Sequence, residues 1–487
     1  MAIAQATQQQ AWTAEPRRAC LIEGQWVAGA SRTVPVIDKF SLLPFASIGT
    51  ASVEQVQAAV AAAHAAFTRG APNAYERGAI LERVAALVEQ QCELFIRTMV
   101  QEAGFTTQDA LGEVRRCIQT LKLSAEEARR MVGEVVPLEG APQQGNRLAF
   151  TLRVPLGVIA AITPFNSPLN TVAHKIAPAF AAGNAVVLKP SSHTPFCAVL
   201  LAQAFIDAGL PRGFLSVLQG SGDVADALLG DPRVRFFAFT GSTAVGRKIQ
   251  QAAGLRRTQM ELGSIACTIV CSDANLDHAL PRIVNAGYRK AGQVCTSIQL
   301  LLVQHDRVEE LQQRLIKLVK ALPYGDPADP GTSVGPVISE AEAIRIEAWI
   351  NEAVKLGATQ LVGGPRQGAV VPPTLLASID ATMKVDCNEI FGPVMCIIPF
   401  ETMDEAIKRV NATPYGLATG IFTNKLSEAL GAARQLEVGG VHINETSSSR
   451  VDLMPYGGSK ESGFGREGPR YAMRELTEER IVTITLV

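Results

Sequence analysis

The sequence predicts an α/β protein built on a parallel, doubly wound sheet. From residue 158 onward, short apolar runs at 158–165, 185–189, 215–218 and 234–240 alternate with segments of helical periodicity. This alternation is typical of strands whose two faces are covered by helices. Polar and glycine residues follow the strand ends, where ligands bind in sheets of this kind. We therefore expect the ligand site at the carboxyl edge of the sheet.

Length and composition are those of an ordinary globular protein. The chain has 487 residues, 47% apolar and 19% charged, which is enough for two or three domains. Its 45 basic and 46 acidic residues nearly balance, so we expect neither nucleic acid nor a membrane as a partner. The nine cysteines form no C-x-x-C pair or cluster with histidine, which predicts no metal site, no disulfide framework and a cytoplasmic location.

The region before residue 158 is predicted to be scaffold. Residues 1–19 look like a mobile tail, 20–29 like a hairpin, and helices are predicted at 52–67, 77–94 and 107–132. Residues 148–154 alternate as a strand that follows a turn at 140–145, and the chain ends with the β-rich RIVTITLV. Exposed strands of this kind need partners at their edges, which favours a role in assembly.

Cys295, in AGQVCTS, is the first candidate for chemistry. The thiolate is the reactive form of cysteine, and a preceding glycine lets the backbone approach a ligand closely. A lone cysteine is nevertheless more often a buried apolar residue, so Cys295 needs partners before a catalytic role is favoured.

Polar residues at the strand ends are the candidates for those partners. Asn166 follows the first strand and can donate an amide N–H, or else form a turn. If a helix starts at Pro168, Ser167, Thr171 and His174 share one face that can line a pocket.

Nucleotide contacts are predicted after the later strands. Lys189 and Ser192 are suited to a ribose, and Gly241 to Gly246 resembles a phosphate loop that lacks the residues of an ATP-binding motif. Glu261 lies among apolar residues, which predicts a raised pKa and suits a general base. Each signal has a structural alternative: a solvated loop, a tight turn or a surface carboxylate.

The order of the motifs resembles the aldehyde dehydrogenase superfamily over essentially the whole chain after the tail. The motifs are PFNSP, KPSSHTP, FTGSTAVG, MELGS, GQVCTS, EIFGP, TPYGLA and PYGGSKESGFGRE. By this resemblance Cys295 is the nucleophile, and Asn166 with the Cys295 backbone N–H forms the oxyanion hole. Glu261 then activates the water that releases the product, and Lys175 matches a supporting lysine.

The same resemblance implies the cofactor, the assembly and the domains. The positions that match cofactor contacts are Thr163, Pro164, Phe165, Lys189, Ser192, Gly222, Gly241, Ser242, Glu389 and Phe391. The implied fold has a Rossmann-type cofactor domain, an α/β catalytic domain and a small β oligomerisation arm, in a homodimer or homotetramer. The expected bounds are 20–137 and 155–260 with 455–470 for the cofactor domain, 261–454 for the catalytic domain, and 138–154 with 471–487 for the arm.

Departures from the family pattern carry the expectations for specificity. Ser192 replaces a glutamate that many NAD-preferring relatives use to repel a 2′-phosphate, so we expect NADP to be accepted at least as well as NAD. Arg289 stands where relatives for neutral aldehydes carry an aromatic residue. A desolvated guanidinium suits an anion, which predicts an aldehyde with a remote acidic group, held by Arg289 with help from His174 or Arg450.

Alternatives remain at this point. Arg289 can instead pair with a nearby glutamate in a tunnel for neutral aromatic or aliphatic aldehydes. A cysteine-dependent hydrolase would need a histidine partner, and none of the six histidines can be paired with Cys295 from sequence. A catalytically silent structural relative is disfavoured by the intact Cys295, Glu261 and Asn166.

Overall fold

The computed structural model describes residues 19–485. Of the predicted tail, only Ala19 lies within this range, and its side chain is buried. The last two residues of the predicted C-terminal strand also lie outside the described residues. No helix in the range 19–485 is long and apolar enough to cross a bilayer.

The regular elements alternate along most of the chain. The strands are β1 (Cys20–Ile22), β2 (Gln25–Val27), β3 (Thr33–Ile37), β4 (Pro44–Gly49), β5 (Val135–Val136), β6 (Arg147–Pro155), β7 (Val158–Ile162), β8 (Ala185–Lys189), β9 (Leu215–Val217), β10 (Val234–Thr240), β11 (Arg257–Glu261), β12 (Ala266–Val270), β13 (Ile298–Gln304), β14 (Thr359–Val362), β15 (Thr374–Ala377), β16 (Val394–Phe400), β17 (Tyr415–Gly416), β18 (Ala418–Phe422), β19 (Gly440–Ile443), β20 (Ser459–Lys460), β21 (Gly463–Phe464) and β22 (Thr477–Thr485).

The helices are α1 (Val53–Arg69), α2 (Ala74–Gln90), α3 (Cys92–Ala103), α4 (Thr107–Ala128), α5 (Asn170–Ala181), α6 (Pro195–Asp207), α7 (Gly222–Gly230), α8 (Thr243–Ala253), α9 (Leu276–Tyr288), α10 (Val308–Lys320), α11 (Glu340–Lys355), α12 (Lys384–Cys387), α13 (Met403–Asn411), α14 (Leu426–Gln435) and α15 (Pro469–Glu475). Short 3-10 helices lie at Leu138–Gly140, Arg289–Gly292 and His305–Arg307.

Two large sheets organise these elements. The first has eight strands in the order β2-β1-β9-β8-β7-β10-β11-β21, and its five strands from β7 to β11 run parallel. The second has seven strands in the order β14-β15-β16-β13-β12-β18-β19, parallel except for β14. Each sheet has its own apolar core with helices packed on it. The predicted α/β class is therefore confirmed.

The C-terminal segment returns to the first sheet. β21 pairs antiparallel with β11, so that Gly463 faces Glu261 across the ladder. An added Cβ at Gly463 would lie 2.0 Å from the carbonyl oxygen of Met260, and its φ of +101° is a conformation that favours glycine. Glycine therefore allows the close approach that closes this edge.

A third sheet joins two distant segments. β22 pairs with β6 over nine residues, from Thr477 opposite Pro155 to Thr485 opposite Arg147, and β5 lies on the other side of β6. The predicted strand at 148–154 extends one residue further at each end. The predicted arm segment 471–487 begins within α15, which packs against α4 and α5, so that the strand itself starts at Thr477.

Some predicted helix bounds were wrong. The expected helix at 77–94 is two helices, α2 and α3, divided at Gln91, where the backbone leaves helical geometry. The helix expected to continue to residue 132 ends at Ala128. Pro168 does not open α5, which starts at Asn170, so Ser167 lies in the preceding turn.

Candidate active site

A cavity of about 400 Å³ is lined by strand ends of the first sheet and by loops of the second. Its wall includes Asn166, Glu261 and Cys295. The three predicted catalytic groups are therefore brought to one cavity, although they are far apart in the sequence. Lys175 is not on the wall, and it lies buried behind it.

The backbone before Cys295 is tightly constrained. Lys290 and Ala291 have φ values of +52° and +53°, a left-handed conformation that side chains rarely adopt. Gly292 follows with φ +70°, and an added Cβ would lie 2.0 Å from the carbonyl oxygen of Gly392. The sharp turn presents Cys295 to the cavity, and it explains why glycine precedes the nucleophile.

Asn166 is anchored to the same turn. Its Nδ2 donates to the carbonyl oxygen of Gln293 at 2.8 Å. A side-chain amide carries two hydrogens on Nδ2, so one remains for a ligand in the cavity. The contact fixes the amide beside the nucleophile.

Burial raises the pKa of the Cys295 thiol to about 11, against the lowering effects of a hydrogen bond from Tyr456 and the charge of Arg450. The Tyr456 hydroxyl lies 2.8 Å from Sγ. Sequence reasoning missed Tyr456, since the two residues are 161 positions apart.

Glu261 is a buried carboxyl group at the end of β11. Neither of its oxygens has a hydrogen-bond partner among residues 19–485. Burial, and next the charge of Glu467, raise its pKa well above the ordinary value, as the apolar surroundings in the sequence predicted. The nearby Lys175 binds Glu467 at 2.9 Å and Gln259 at 2.8 Å. An unpartnered carboxyl group facing a cavity is suited to bind and deprotonate a water molecule.

A buried ion pair connects the Asn166 segment to the Cys295 segment. Glu113 on α4 binds the Lys290 ammonium at 2.8 Å and the backbone N–H of Asn170 at 2.9 Å, and it also accepts from the Ser167 hydroxyl. The Lys290 ammonium donates in addition to the carbonyl oxygen of Asn166 at 3.1 Å. Although burial alone would raise the pKa of Glu113, the charge of Lys290 lowers it, which favours the carboxylate. Burial lowers the pKa of Lys290, and the charge of Glu113 opposes that shift.

Four arginines line the cavity: Arg116, Arg289, Arg345 and Arg450. Arg345 is paired with Glu342 at 2.8 Å. Arg116 is paired with Asp452 at 2.7 Å, and Arg450 is paired with Glu467 at 2.8 Å. Arg116 was missed from sequence because it lies on a helix with ordinary scaffold periodicity.

Arg289 differs from the other three arginines of the cavity wall. It donates to the Ser448 hydroxyl at 2.7 Å, and within the described part of the chain it forms no salt bridge. Burial lowers its pKa, and the negative charge of Asp109 only partly opposes that shift. The alternative in which Arg289 pairs with a glutamate is therefore wrong for residues 19–485.

The three residues predicted to share one substrate-binding face do not all line the cavity. Ser167 and Thr171 line the cavity, whereas His174 is buried outside the wall. Its Nε2 lies 2.8 Å from Asp452 Oδ1, and burial lowers its pKa. His174 thus holds the segment that carries Arg450, and direct contact with a ligand in this cavity is not supported. The shared face was predicted from a helix starting at Pro168, but α5 starts later.

Six of the residues predicted to contact a nicotinamide dinucleotide lie on the cavity wall. Gly241, Ser242, Pro164, Phe165, Glu389 and Phe391 line the cavity. Ser242 precedes α8 without a side-chain capping bond, so first-turn N–H groups are left for an anion such as pyrophosphate. Burial raises the pKa of Glu389 to about 7, and its carboxyl group accepts from Ser264 N. These features fit the cofactor.

The remaining predicted cofactor residues lie outside this cavity. Ser192 and Gly222 are exposed, and Thr163 is buried with a hydroxyl that lacks a partner among the described residues. The buried Lys189 ammonium donates to the carbonyl of Pro190, and burial lowers its pKa to about 8. Arg247 is paired with Glu461 and so is not free for a phosphate, whereas Arg32 reaches Ser221 beside Gly222.

Fold and site together define an α/β oxidoreductase in which a cysteine, a buried carboxyl group and a helix N-terminus suited to a pyrophosphate border one cavity. The aldehyde dehydrogenase family model matches residues 26–482, and the chain belongs to this family. The resemblance identified from the motifs is confirmed, and the protein is an NAD(P)-dependent aldehyde dehydrogenase that oxidises an aldehyde to a carboxylic acid.

Similar proteins cover nearly the whole chain. The 3-sulfolactaldehyde dehydrogenase of Priestia megaterium is 45% identical over 466 residues, which are 96% of this chain and 97% of that protein. Aspartate-semialdehyde dehydrogenase 1 of Pseudomonas canavaninivorans is 43% identical, with coverage of 85% and 88%.

Solved structures agree with the fold. Aldehyde dehydrogenase 21 from Physcomitrella patens, in complex with the reaction product succinate, has a TM-score of 0.94 and 37% identity, with 97% of this chain and 99% of that chain covered. Glyceraldehyde-3-phosphate dehydrogenase from Methanocaldococcus jannaschii, complexed with NADP, has a TM-score of 0.90 and 36% identity, with coverage of 93% and 99%.

The Glu113–Lys290 pair generates a stability prediction. Lys290→Met leaves a buried carboxylate unpaired, which should lower the free energy of unfolding by about 3–5 kcal/mol. The double variant Glu113→Gln/Lys290→Met should lose less than the sum of the single variants, because neither charge is left alone. Lys384→Met, which breaks an exposed pair with Glu352, is the control and should cost less than about 1 kcal/mol. Urea unfolding measures the wild type, the two single variants, the double variant and the control, and a Lys290→Met variant as stable as the control would contradict the expectation.

Proposed function

We propose that this aldehyde dehydrogenase oxidises an aldehyde with a remote anionic group through covalent catalysis by Cys295. The proposal is carried by one observation: Cys295, the amide of Asn166 and the unpartnered carboxyl group of Glu261 border the same cavity as the unneutralised Arg289. A nucleophile, an oxyanion donor, a base and an anion site then lie within reach of one small molecule.

The first half of the reaction uses Cys295 and Asn166. The thiolate sulfur forms a bond to the carbonyl carbon, and the carbonyl oxygen becomes an oxyanion. The free N–H of the Asn166 amide and the backbone N–H of Cys295 stabilise that charge. A bound nicotinamide dinucleotide supplies the oxidising power, because it accepts the hydride that the carbon loses as the thioester forms.

The second half uses Glu261. Its carboxylate takes a proton from water as the water oxygen bonds to the acyl carbon, and the bond from carbon to Sγ of Cys295 breaks. The carboxylic acid leaves and the thiolate is restored. Lys175 acts through Glu467, whose charge influences the pKa of Glu261, so we assign Lys175 a supporting role.

Substrate specificity is assigned to the arginine-lined end of the cavity. Arg289 donates to the Ser448 hydroxyl at 2.7 Å, and the Ser448 hydroxyl lies 3.0 Å from the Thr296 hydroxyl. A carboxylate, sulfonate or phosphate would supply the charge that Arg289 lacks. Relatives named for sulfolactaldehyde and aspartate semialdehyde, and a similar structure named for glyceraldehyde 3-phosphate, support an anionic substrate. Ser167, Thr171 and Arg450 are proposed to complete this wall.

We further propose that NADP is accepted at least as well as NAD. Ser192 is exposed and uncharged, the Lys189 ammonium donates to the neighbouring carbonyl of Pro190, and Arg32 donates to the Ser221 hydroxyl at 3.0 Å. Asp223 acts against this preference, since its negative charge partly neutralises the Lys189 ammonium, whose pKa it raises. Similar structures complexed with NADP support the preference.

A homodimer or homotetramer is proposed from the third sheet. Leu148, Leu152, Ile481 and Ile484 are exposed apolar side chains on the paired strands β6 and β22. Leu148, Leu152 and Ile484 lie on one face of this sheet, and such a surface favours burial against another subunit. All nine cysteines are free thiols, which supports a reducing compartment such as the cytoplasm.

The covalent mechanism predicts that Cys295→Ala and Glu261→Gln block the reaction at different steps. Cys295→Ala should abolish aldehyde oxidation and leave NADP binding within about twofold, because the thiol does not hold the cofactor. Glu261→Gln should accumulate an acyl group on Cys295 that intact-protein mass spectrometry detects after one turnover. In the wild type, the deacylation rate should rise with pH. The raised pKa keeps Glu261 protonated at lower pH, and only the carboxylate that forms as the pH increases can act as the base. Normal turnover by either variant would contradict the roles.

Arg289→Leu tests the anion site. The ratio kcat/KM should fall about a hundredfold or more for succinate semialdehyde and 3-sulfolactaldehyde, as expected for the loss of a charge-assisted, bidentate contact. Values for benzaldehyde and hexanal should change by less than about threefold, since they place no charge there. Arg282→Leu, an exposed arginine paired with Glu445, is the control. An equal loss for neutral and anionic aldehydes would contradict an anion site.

Ser192→Glu tests cofactor selection. The added carboxylate should repel a 2′-phosphate and lower kcat/KM with NADP at least about tenfold, or roughly 1.4 kcal/mol. The value with NAD should stay level or increase. A wild-type enzyme that prefers NAD by more than about tenfold would contradict the proposed preference.

Light scattering tests the assembly. The wild type should have the mass of a dimer or tetramer at micromolar concentration. Leu152→Lys with Ile484→Lys should shift it toward the monomer, because two charges are introduced into the same apolar strand face. Leu255→Lys, at a fully exposed position in another part of the chain, should leave the mass unchanged. A monomeric wild type would refute the proposal.

A further inference from the structure

Tyr456 makes a direct contact with the sulfur of Cys295. The hydroxyl oxygen lies 2.8 Å from Sγ, and over residues 19–485 no other side chain forms a hydrogen bond with that atom. Tyr456 also lines the cavity, so its hydroxyl group faces the place where the aldehyde would bind. The contact is therefore located at the reacting atom.

The ring of Tyr456 is held in place from two directions. Its backbone N–H donates to the carbonyl of Glu467 at 3.1 Å, and its carbonyl accepts from the Glu467 N–H at 2.7 Å. The Arg450 guanidinium lies 3.7 Å from the ring centroid, and the Glu467 carboxylate binds that guanidinium at 2.8 Å. A cation over an aromatic face withdraws electron density, which makes the phenol a stronger hydrogen-bond donor.

The surrounding charges explain why such a donor matters. Arg450 and Arg289 favour a thiolate at Cys295, whereas Glu261 and Glu389 oppose it. In the neutral state either group can donate to the other. Once the thiol has released its proton to solvent, only the phenol retains a hydrogen, and the contact becomes a charge-assisted hydrogen bond from oxygen to sulfur.

We propose that Tyr456 is a further catalytic residue, which donates a hydrogen bond to the Cys295 thiolate and stabilises it before the aldehyde is attacked. The proposal rests on the proposed role of Cys295 as nucleophile. It involves no transfer of the phenolic proton, so Tyr456 stays neutral while the sulfur carries the charge.

The pH dependence of alkylation tests this role. Iodoacetamide reacts with the thiolate, so its rate with Cys295, followed by peptide mass spectrometry, reports the thiol pKa. Tyr456→Phe keeps the ring and removes the donor. The apparent pKa should rise by about one pH unit or more, and alkylation near neutral pH should slow about tenfold or more. The two rates should converge at high pH, where both proteins carry a thiolate.

Two further proteins distinguish a hydrogen bond from a structural effect. Tyr324→Phe removes a hydroxyl group at an exposed position away from the cavity and should match the wild type. Incorporation of 3-fluorotyrosine at position 456 keeps the shape but makes the phenol a stronger donor, so the thiol pKa should fall. A residue that only packed against the cavity would give the same alkylation profile in all of these proteins, and that result would overturn the proposal.

The experiment also separates this inference from the proposed function. Suppose that alkylation of Cys295 abolishes aldehyde oxidation, but that the pH profile of alkylation is the same in Tyr456→Phe and the wild type. The proposed role of Cys295 as nucleophile is then supported, and the proposed role of Tyr456 is wrong. If alkylated Cys295 still supports oxidation, both proposals fail. A shifted profile together with inactivation supports both.

Discussion

The ion pair between Glu113 and Lys290 is the interaction on which the geometry of the site depends. Both groups are buried, and neither charge would be stable there without the other. One carboxylate thereby joins helix α4 to the Asn166 turn and to the turn before Cys295. The separation between the Asn166 amide and Cys295 is thus held by electrostatics in a low-dielectric interior rather than by either loop alone.

Helix α4 supplies more than this pair. Asp109 and Arg116 lie one turn before and one turn after Glu113 on the same helix, so the three side chains project in the same direction. Asp109 accepts the backbone N–H of Lys290 at 3.1 Å, which supports its left-handed conformation. Arg116 fixes Asp452, in the loop that carries Arg450. A helix that the sequence identifies only as scaffold therefore holds both sides of the cavity.

Much of the fold could be predicted from the sequence because its parallel strands are continuous apolar runs. The strands at 185–189 and 234–240 begin and end as predicted. The division between α2 and α3 carries no proline or glycine, and a periodic pattern does not reveal it. Among the site residues, Cys295, Glu261 and Asn166 could be identified because each lies within a family motif. Tyr456 also lies within a family motif, PYGGSKESGFGRE, but a single sequence holds no signal for its contact with Cys295, 161 residues away. The same holds for Arg116, whose partner Asp452 is 336 residues away.

The pairing of β21 with β11 has a consequence for how the chain is made. Residues up to Glu261 contain nearly all of the first sheet, but its last strand is formed by Gly463 and Phe464. As the protein emerges from the ribosome, that sheet keeps an open edge until some two hundred further residues have been synthesised, a delay on the order of ten to forty seconds at ~5–20 residues per second. An exposed strand edge is a template for wrong pairing, so this interval is the period in which the nascent chain is most exposed to aggregation and most dependent on chaperones.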